Sequence, residues 1–363
     1  MNRLSLLRDT FESHDIDGAL IGSASNRRYL SGFAGSAGWL VISNQRVCLA
    51  VDFRYVVQAR QQSPDIEVLY IKGDISNWLA DLAADMGIGR LGIESDHLSL
   101  TTYNTICMAA QAAGKKLEVT PVRSLIEKLR AVKDAQEIAN ITKACSIADR
   151  ALEQIVPASK AGLTEKQLAW QIESFMRREG SEPLPFDIIV ASGPNSALPH
   201  ASPTDRPISE GEPITIDFGA RCGGYCCDIT RTYIIGKMDE QFNKVYNTVL
   251  GAQTTAIALI KDGMSAGAVD KLARDMIDKA GYGEYFGHGL GHGIGLDAHE
   301  RPRLGPSADD ILLEKMVFTV EPGIYLPGWG GVRIEDTVTI DGGKALTLTA
   351  ADKKPLSIGG KAS

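Results

Sequence analysis

Residues 214–235 read ITIDFGARCGGYCCDITRTYII, two strand-like runs around a glycine turn. Alternation puts Ile214, Ile216 and Phe218 on one face and Thr215 and Asp217 on the other. Arg221-Cys222-Gly223-Gly224 supplies the turn, and the return strand runs from Tyr225 to Ile235. The midpoint of positions 217 and 228 falls inside that turn, so the hairpin is expected to set Asp217 and Asp228 opposite each other. Their Cβ atoms would then lie about 5 Å apart. Like charges held so close destabilise a sheet unless something positive lies between them. A divalent cation is the natural candidate.

Further along, the pattern repeats. Met316 to Tyr325 and Val332 to Ile340 are strand-like and flank Pro327-Gly328-Trp329-Gly330-Gly331. The midpoint of Glu321 and Glu335 again falls in the turn, which implies two similar halves facing each other. Between the hairpins lies Gly287–Glu300, GHGLGHGIGLDAHE, whose five alternating glycines make a poor helix. They suit extended backbone passing close to something, with room for a metal or substrate. Four of the six histidines, His200, His288, His292 and His299, fall in this part of the chain; His14 and His97 stand apart without ligand-like company. Four carboxylates and one imidazole suit a two-metal centre better than a single zinc.

The rest of the 363 residues frames this site. Residues 1–123 alternate helix-like and strand-like segments, with strands at Gly18–Gly22, Trp39–Ile42 and Val47–Val51, and a helix at Tyr103–Ala113. That pattern is a small α/β domain with a mixed sheet. A helical stretch follows from Leu125 to Ile155, breaking near Lys133-Asp134. Asp134 with Glu137, and Thr164 with Gln167, have capping-box spacing. The expected division is residues 1–125 and 126–363. Uncharged Val245–Ile260 reads as a buried helix, since its polar residues leave it short of a membrane span. Arg3, Arg8, Asp9 and Glu12 interrupt any signal-peptide core, so a cytoplasmic location is expected. A net charge of -7 argues against nucleic-acid or anionic-membrane partners. Cys222, Cys226 and Cys227 lack a second cysteine pair at finger spacing and read as small hydrophobes beside a turn.

The segments ASGPNSALPHASPTDRPI, IDFGARCGGYCCDITRTY, FGHGLGHGIGLDAHERPRL and MVFTVEPGIY with GVRIEDTV resemble the pita-bread metallopeptidases, closest to the Xaa-Pro branch of aminopeptidase P and prolidase. NRRYLSGFAGSAG and LAVDFRYVVQA resemble the creatinase-type N-terminal domain of that branch. The implied fold is a small mixed-sheet creatinase-like domain followed by a pita-bread catalytic domain, in the α/β (α+β) class. The resemblance implies metal ligands at Asp217, Asp228, His292, Glu321 and Glu335, with Glu321 also handling the proton of the attacking water. It implies that His288 and His299 contact the substrate and its developing oxyanion, with His200 near the scissile bond. Arg333 would pair with a neighbouring acid, and Arg303 would receive a substrate carboxylate. The cofactors would be two divalent ions, manganese favoured and cobalt or zinc able to replace it. The substrates would be short proline-containing peptides, and a homodimer is open. Cys227 stands where relatives carry Ser, with its side chain expected to point away from that of Asp228. The short N-terminal domain favours aminopeptidase P; prolidase restricted to dipeptides is the alternative, and a non-catalytic peptide-binding protein a distant one.

Overall fold

The computed structural model describes residues 3–112, 117–355 and 357–358. The chain divides into two compact units, Met1–Arg130 and Ala131–Ser363. Among the described residues, no helix is long and apolar enough to cross a membrane.

The first unit is built on a six-stranded sheet among the described residues. Glu67–Tyr70, Val47–Val51, Trp39–Ser43, Gly18–Ile21, Arg90–Glu94 and Glu118–Val122 lie side by side in that order. Antiparallel pairing joins the middle strands and parallel pairing the flanks, a mixed sheet. Gly18–Ile21 is buried along its whole length, so it carries an unbroken apolar run. The helix expected at Tyr103–Ala113 spans Leu100–Ala112; Ala113 lies outside the described residues. Two helices escape a pattern-based reading. Ala24–Ser31 is capped by the Ser23 side chain accepting from the Asn26 N–H. Val56–Gln62 begins without a side-chain cap.

The second unit repeats one theme. The 21-residue helix Ala135–Ile155, capped by Asp134, precedes the 14-residue helix Glu165–Arg178, capped by Thr164. The 20-residue helix Glu240–Leu259, capped by Asp239, precedes the 14-residue helix Ala266–Lys279, capped by Ser265. Both expected capping boxes form. The expected break near Lys133-Asp134 is real, since a separate helix covers Glu127–Ala131. The uncharged run, apart from its last residue Ile260, lies within Glu240–Leu259, whose Val245, Tyr246, Val249, Ala252 and Ala256 are buried against Phe318, Val338 and Ile340.

Each helix pair is followed by strands. The first set orders as Ser357–Ile358, Ile229–Ile235, Pro213–Phe218 and Ile189–Ser192. The second orders as Glu300–Leu304, Gly291–Gly293, Val317–Val320, Asp336–Asp341 and Lys344–Thr347. The first hairpin departs from its expected register. Asp217 faces Thr230, so Asp228 lies two residues away along the partner strand, diagonal to Asp217 on the same face. The reason is the turn: Gly223 and Gly224, at φ 58° and 85°, are a two-residue loop that centres the hairpin one position later. The second hairpin keeps its expected register. Val320 pairs with Asp336 and Gly323 with Arg333, which brings Glu321 across from Glu335.

Candidate metal centre

Three of the four carboxylates occupy breaks in the ladders, while Asp217 lies within Pro213–Phe218. Asp228 falls between Tyr225–Cys226 and Ile229–Ile235. Glu321 follows Val317–Val320, and Glu335 lies between Gly330–Arg333 and Asp336–Asp341. The two hairpins meet here: the Glu335 N–H donates to the Thr230 carbonyl at 3.0 Å, and the Asp228 N–H to Thr337 Oγ1 at 3.1 Å. Cys227 points elsewhere, its Sγ accepting from the Ala220 N–H.

The histidine strand is threaded tightly from below. A Cβ at Gly291 would stand 2.1 Å from the Thr319 carbonyl oxygen, and one at Gly293 2.0 Å from that of Arg301. These two glycines therefore make room for neighbouring backbone rather than for a ligand. The Glu321 N–H donates to the Leu290 carbonyl, and the His292 N–H to Thr319 Oγ1, which in turn donates to Glu321 Oε1 at 3.0 Å. His292 Nδ1 lies 3.1 Å from the Gly293 carbonyl, which can only accept, so the proton sits on Nδ1. Nε2 then presents its lone pair, 3.3 Å from Glu321 Oε1 and 3.6 Å from Asp228 Oδ2.

The cavity has a volume of about 530 Å³. All five expected ligands line it, as do His200, His288, His299 and Arg333. Ligand atoms of Asp228, His292 and Glu335 lie within 4.8 Å of one another. Asp217 Oδ1, Asp228 Oδ1 and Glu335 Oε1 are buried with no hydrogen-bond partner. Buried acceptors left unpaired cost about 1–3 kcal/mol each, more when charged. Burial, reinforced by neighbouring negative charges, pushes the Asp228 and Glu335 carboxyls well up, and Glu321 follows in the same direction. A donor set short of positive charge, rich in hard oxygens and carrying one imidazole lone pair fits divalent cations.

Arg333 is the cation behind the site. It is buried, donating from Nη2 to Asp217 Oδ2 at 2.6 Å, from Nε to Thr230 Oγ1 at 3.2 Å and from Nη1 to the Tyr325 hydroxyl at 2.9 Å. Thr230 Oγ1 donates on to Glu335 Oε2 at 2.6 Å. The Tyr325 hydroxyl donates to His288 Nε2 at 2.9 Å, while His288 Nδ1 faces the Gly289 carbonyl at 2.8 Å. Burial raises the Tyr325 phenol to about 12, so it stays protonated. Tyr325, Thr230 and Thr319 are absent from the expected site residues. Nothing local marks them, because an aromatic or threonine in a strand reads as ordinary sheet composition.

His299 lies against His292 with ring centroids 4.1 Å apart and planes tilted by 39°, and as an exposed residue it lines the cavity. Desolvation and the neighbouring His292 bring it down to about 4, so it is neutral at pH 7. Exposed His200 arrives on the loop after Gly193–Ala197, pinned by buried Glu165. That carboxylate accepts from the Ser192 N–H, Asn195 Nδ2 and the Thr204 N–H. Arg303 is exposed and stands outside the cavity lining, although its backbone is paired with His292.

Residues 139–342 match the metallopeptidase family M24, and residues 3–132 match the creatinase/prolidase N-terminal domain. An uncharacterized peptidase of Bacillus subtilis, YqhT, is 42% identical over 352 residues, covering 97% of this chain and 99% of its own. Among solved structures, an Xaa-Pro dipeptidase from Bacillus anthracis superposes with a TM-score of 0.94 at 40% identity, covering 98% of this chain and 99% of that one. An X-Pro aminopeptidase from Thermotoga maritima gives 0.87 at 38% identity, covering 96% and 100%.

Proposed function

The chain belongs to metallopeptidase family M24, in its pita-bread Xaa-Pro peptidase branch, and from that premise we propose that it hydrolyses the peptide bond preceding proline in short peptides. The observation that carries this reading is the set of three buried, unpartnered carboxylate oxygens, on Asp217, Asp228 and Glu335, in the cavity that His292 also lines. Asp217, Asp228, His292, Glu321 and Glu335 would hold two divalent ions, manganese first because the ligands are mostly carboxylates. When bound, such ions polarise a carbonyl and lower the pKa of water so that a nucleophile exists at neutral pH.

The chain's own residues do the remainder. Glu321 takes the proton of the attacking water and returns it to the leaving proline nitrogen. Neutral His299, an exposed residue lining the cavity, donates to the developing oxyanion. His288, held by Tyr325 and Gly289, positions the wall of the site. Arg333 fixes the free rotation of Asp217 and, through Thr230, of Glu335. His200 lies on the substrate side near the scissile bond.

Xaa-Pro dipeptides are the preferred substrate in this reading. The dipeptidase structure gives the higher TM-score of the two superpositions. Arg303, outside the cavity lining but paired through its backbone with His292, would receive the carboxylate that a dipeptide carries beside the cut bond. Removal of the first residue from longer peptides is the second reading, favoured by the GSAG and DFRY segments of the first unit. The test is hydrolysis of Ala-Pro and Ala-Pro-Ala by the manganese-loaded protein, with and without chelator. Chelator-sensitive cleavage of Ala-Pro alone supports the dipeptidase reading, and cleavage of the tripeptide after Ala the aminopeptidase reading. No cleavage of either by metal-loaded protein overturns the proline specificity.

A further inference from the structure

Five carboxylates line the cavity, and four of them are the expected ligands. The fifth is Asp187. Its side chain is exposed and makes no hydrogen bond or ion pair with any described residue. Its position is set by the sheet. Ile189 pairs directly with Asp217, and Asp187, two residues before it and just outside the strand, lines the same cavity. Asp187 and Asp217 thus line one cavity, Asp217 held by Arg333 and Asp187 open.

Charge balance gives the open one a task. Four ligand carboxylates are matched by two divalent ions, and Arg333 adds one positive charge beside Asp217. Asp187 faces that array as the single uncommitted negative group in the lining. The substrate of an exopeptidase enters with a cation of its own on the first residue. Phe186, Ile188 and Ile189, flanking Asp187 in the lining, offer that residue only apolar surface.

Resting on the activity proposed above, we propose that Asp187 is a specificity-determining residue that receives a primary ammonium group on the residue preceding the scissile bond. Two sources share that chemistry: the α-ammonium, and the side chain of a lysine at that position. The pairing is solvent-exposed, so its removal should raise KM about fivefold and leave kcat nearly unchanged.

The test compares wild type with Asp187→Asn and Asp187→Glu, each manganese-loaded with metal content measured. The substrates are Ala-Pro, norleucyl-Pro and Lys-Pro, and propionyl-Pro serves as a competitive ligand without an ammonium group. If Asp187 receives the α-ammonium, Asp187→Asn raises KM for all three peptides alike, leaves propionyl-Pro inhibition unchanged, and Asp187→Glu restores most of the loss. If it receives the side chain, only Lys-Pro suffers. Equal KM values in wild type and Asp187→Asn for every peptide, with metal content intact, overturn the proposal while the activity stands. Failure of wild type to cleave any of them removes the activity reading and this inference with it.

Discussion

Among the described residues, two clusters of carboxylates and histidine occur, and they behave as opposites. Glu94, His97 and Glu127 converge in the first unit, and Asp228, His292 and Glu335 in the second. In the first cluster the acceptors are spoken for. Glu94 Oε2 accepts from the N–H groups of Gly22 and Ser23, and Oε1 from Asn26 Nδ2. Glu127 Oε1 accepts from Asn26 Nδ2 and faces His97 Nε2 at 2.6 Å. Arg130 donates to Asn26 Oδ1, closing the network. In the second cluster Asp228 Oδ1 and Glu335 Oε1 have nothing to accept from. Residue type alone therefore does not separate the two clusters, whereas unsatisfied buried acceptors do.

The largest effect should separate the clusters by turnover. Glu321→Gln or His292→Ala is expected to lower kcat by at least about 10²–10⁴-fold. His97→Ala is expected to leave the metal-loaded rate unchanged. Comparable losses from both would erase the contrast.

Metal removal comes next. At a hundredfold excess over Kd, manganese should stabilise the second unit by about 2.7 kcal/mol, read as a higher melting temperature that chelator reverses. His292→Ala should abolish that shift and Glu94→Gln should preserve it. Ion uptake lost through Glu94→Gln would show that the first cluster binds metal as well.

A smaller effect tests the first cluster as a structural clasp. Glu94→Gln offers an amide nitrogen where an acceptor is needed, and should cost about 1–3 kcal/mol in urea unfolding.

The gentlest test is pH, where the clusters should differ in sign. Burial alone would raise Glu127, but His97 and Asn26 outweigh it and bring the carboxyl down to about 2 from an ordinary 4.5. Its contribution is complete above pH 4.5 and fades as pH falls toward 2. Asp228 and Glu335 are pushed the other way, so in chelator their contribution is complete at low pH and fades as pH rises through their raised values. Melting temperatures of chelated wild type, His97→Ala and Glu335→Gln across that range would show opposite slopes.

Much of this was legible in the chain. The capping boxes at Asp134 and Thr164 are local chemistry, and the uncharged helix and mixed sheet follow from hydrophobic pattern. The expected ligands line one cavity because both hairpins have turns a sequence can show. The register of the first was legible only to within two residues, since it depends on Gly223 and Gly224 both taking positive φ. The company kept by His97 was half hidden: Glu94 stands three residues before it in the chain, but Glu127 reaches it only through tertiary folding. Tyr325 was hidden for the same reason: its role rests on Arg333 and His288, which lie on either side of it in space.

The hydrogen bond from the Glu335 N–H to the Thr230 carbonyl joins hairpins that belong to different halves of the catalytic unit. Asp217 and Asp228 come from one half, and His292, Glu321 and Glu335 from the other. Neither half owns the complete set of proposed ligands. The seam between them is thus a built-in assembly check, and a single measurement of turnover reports whether both halves have found each other.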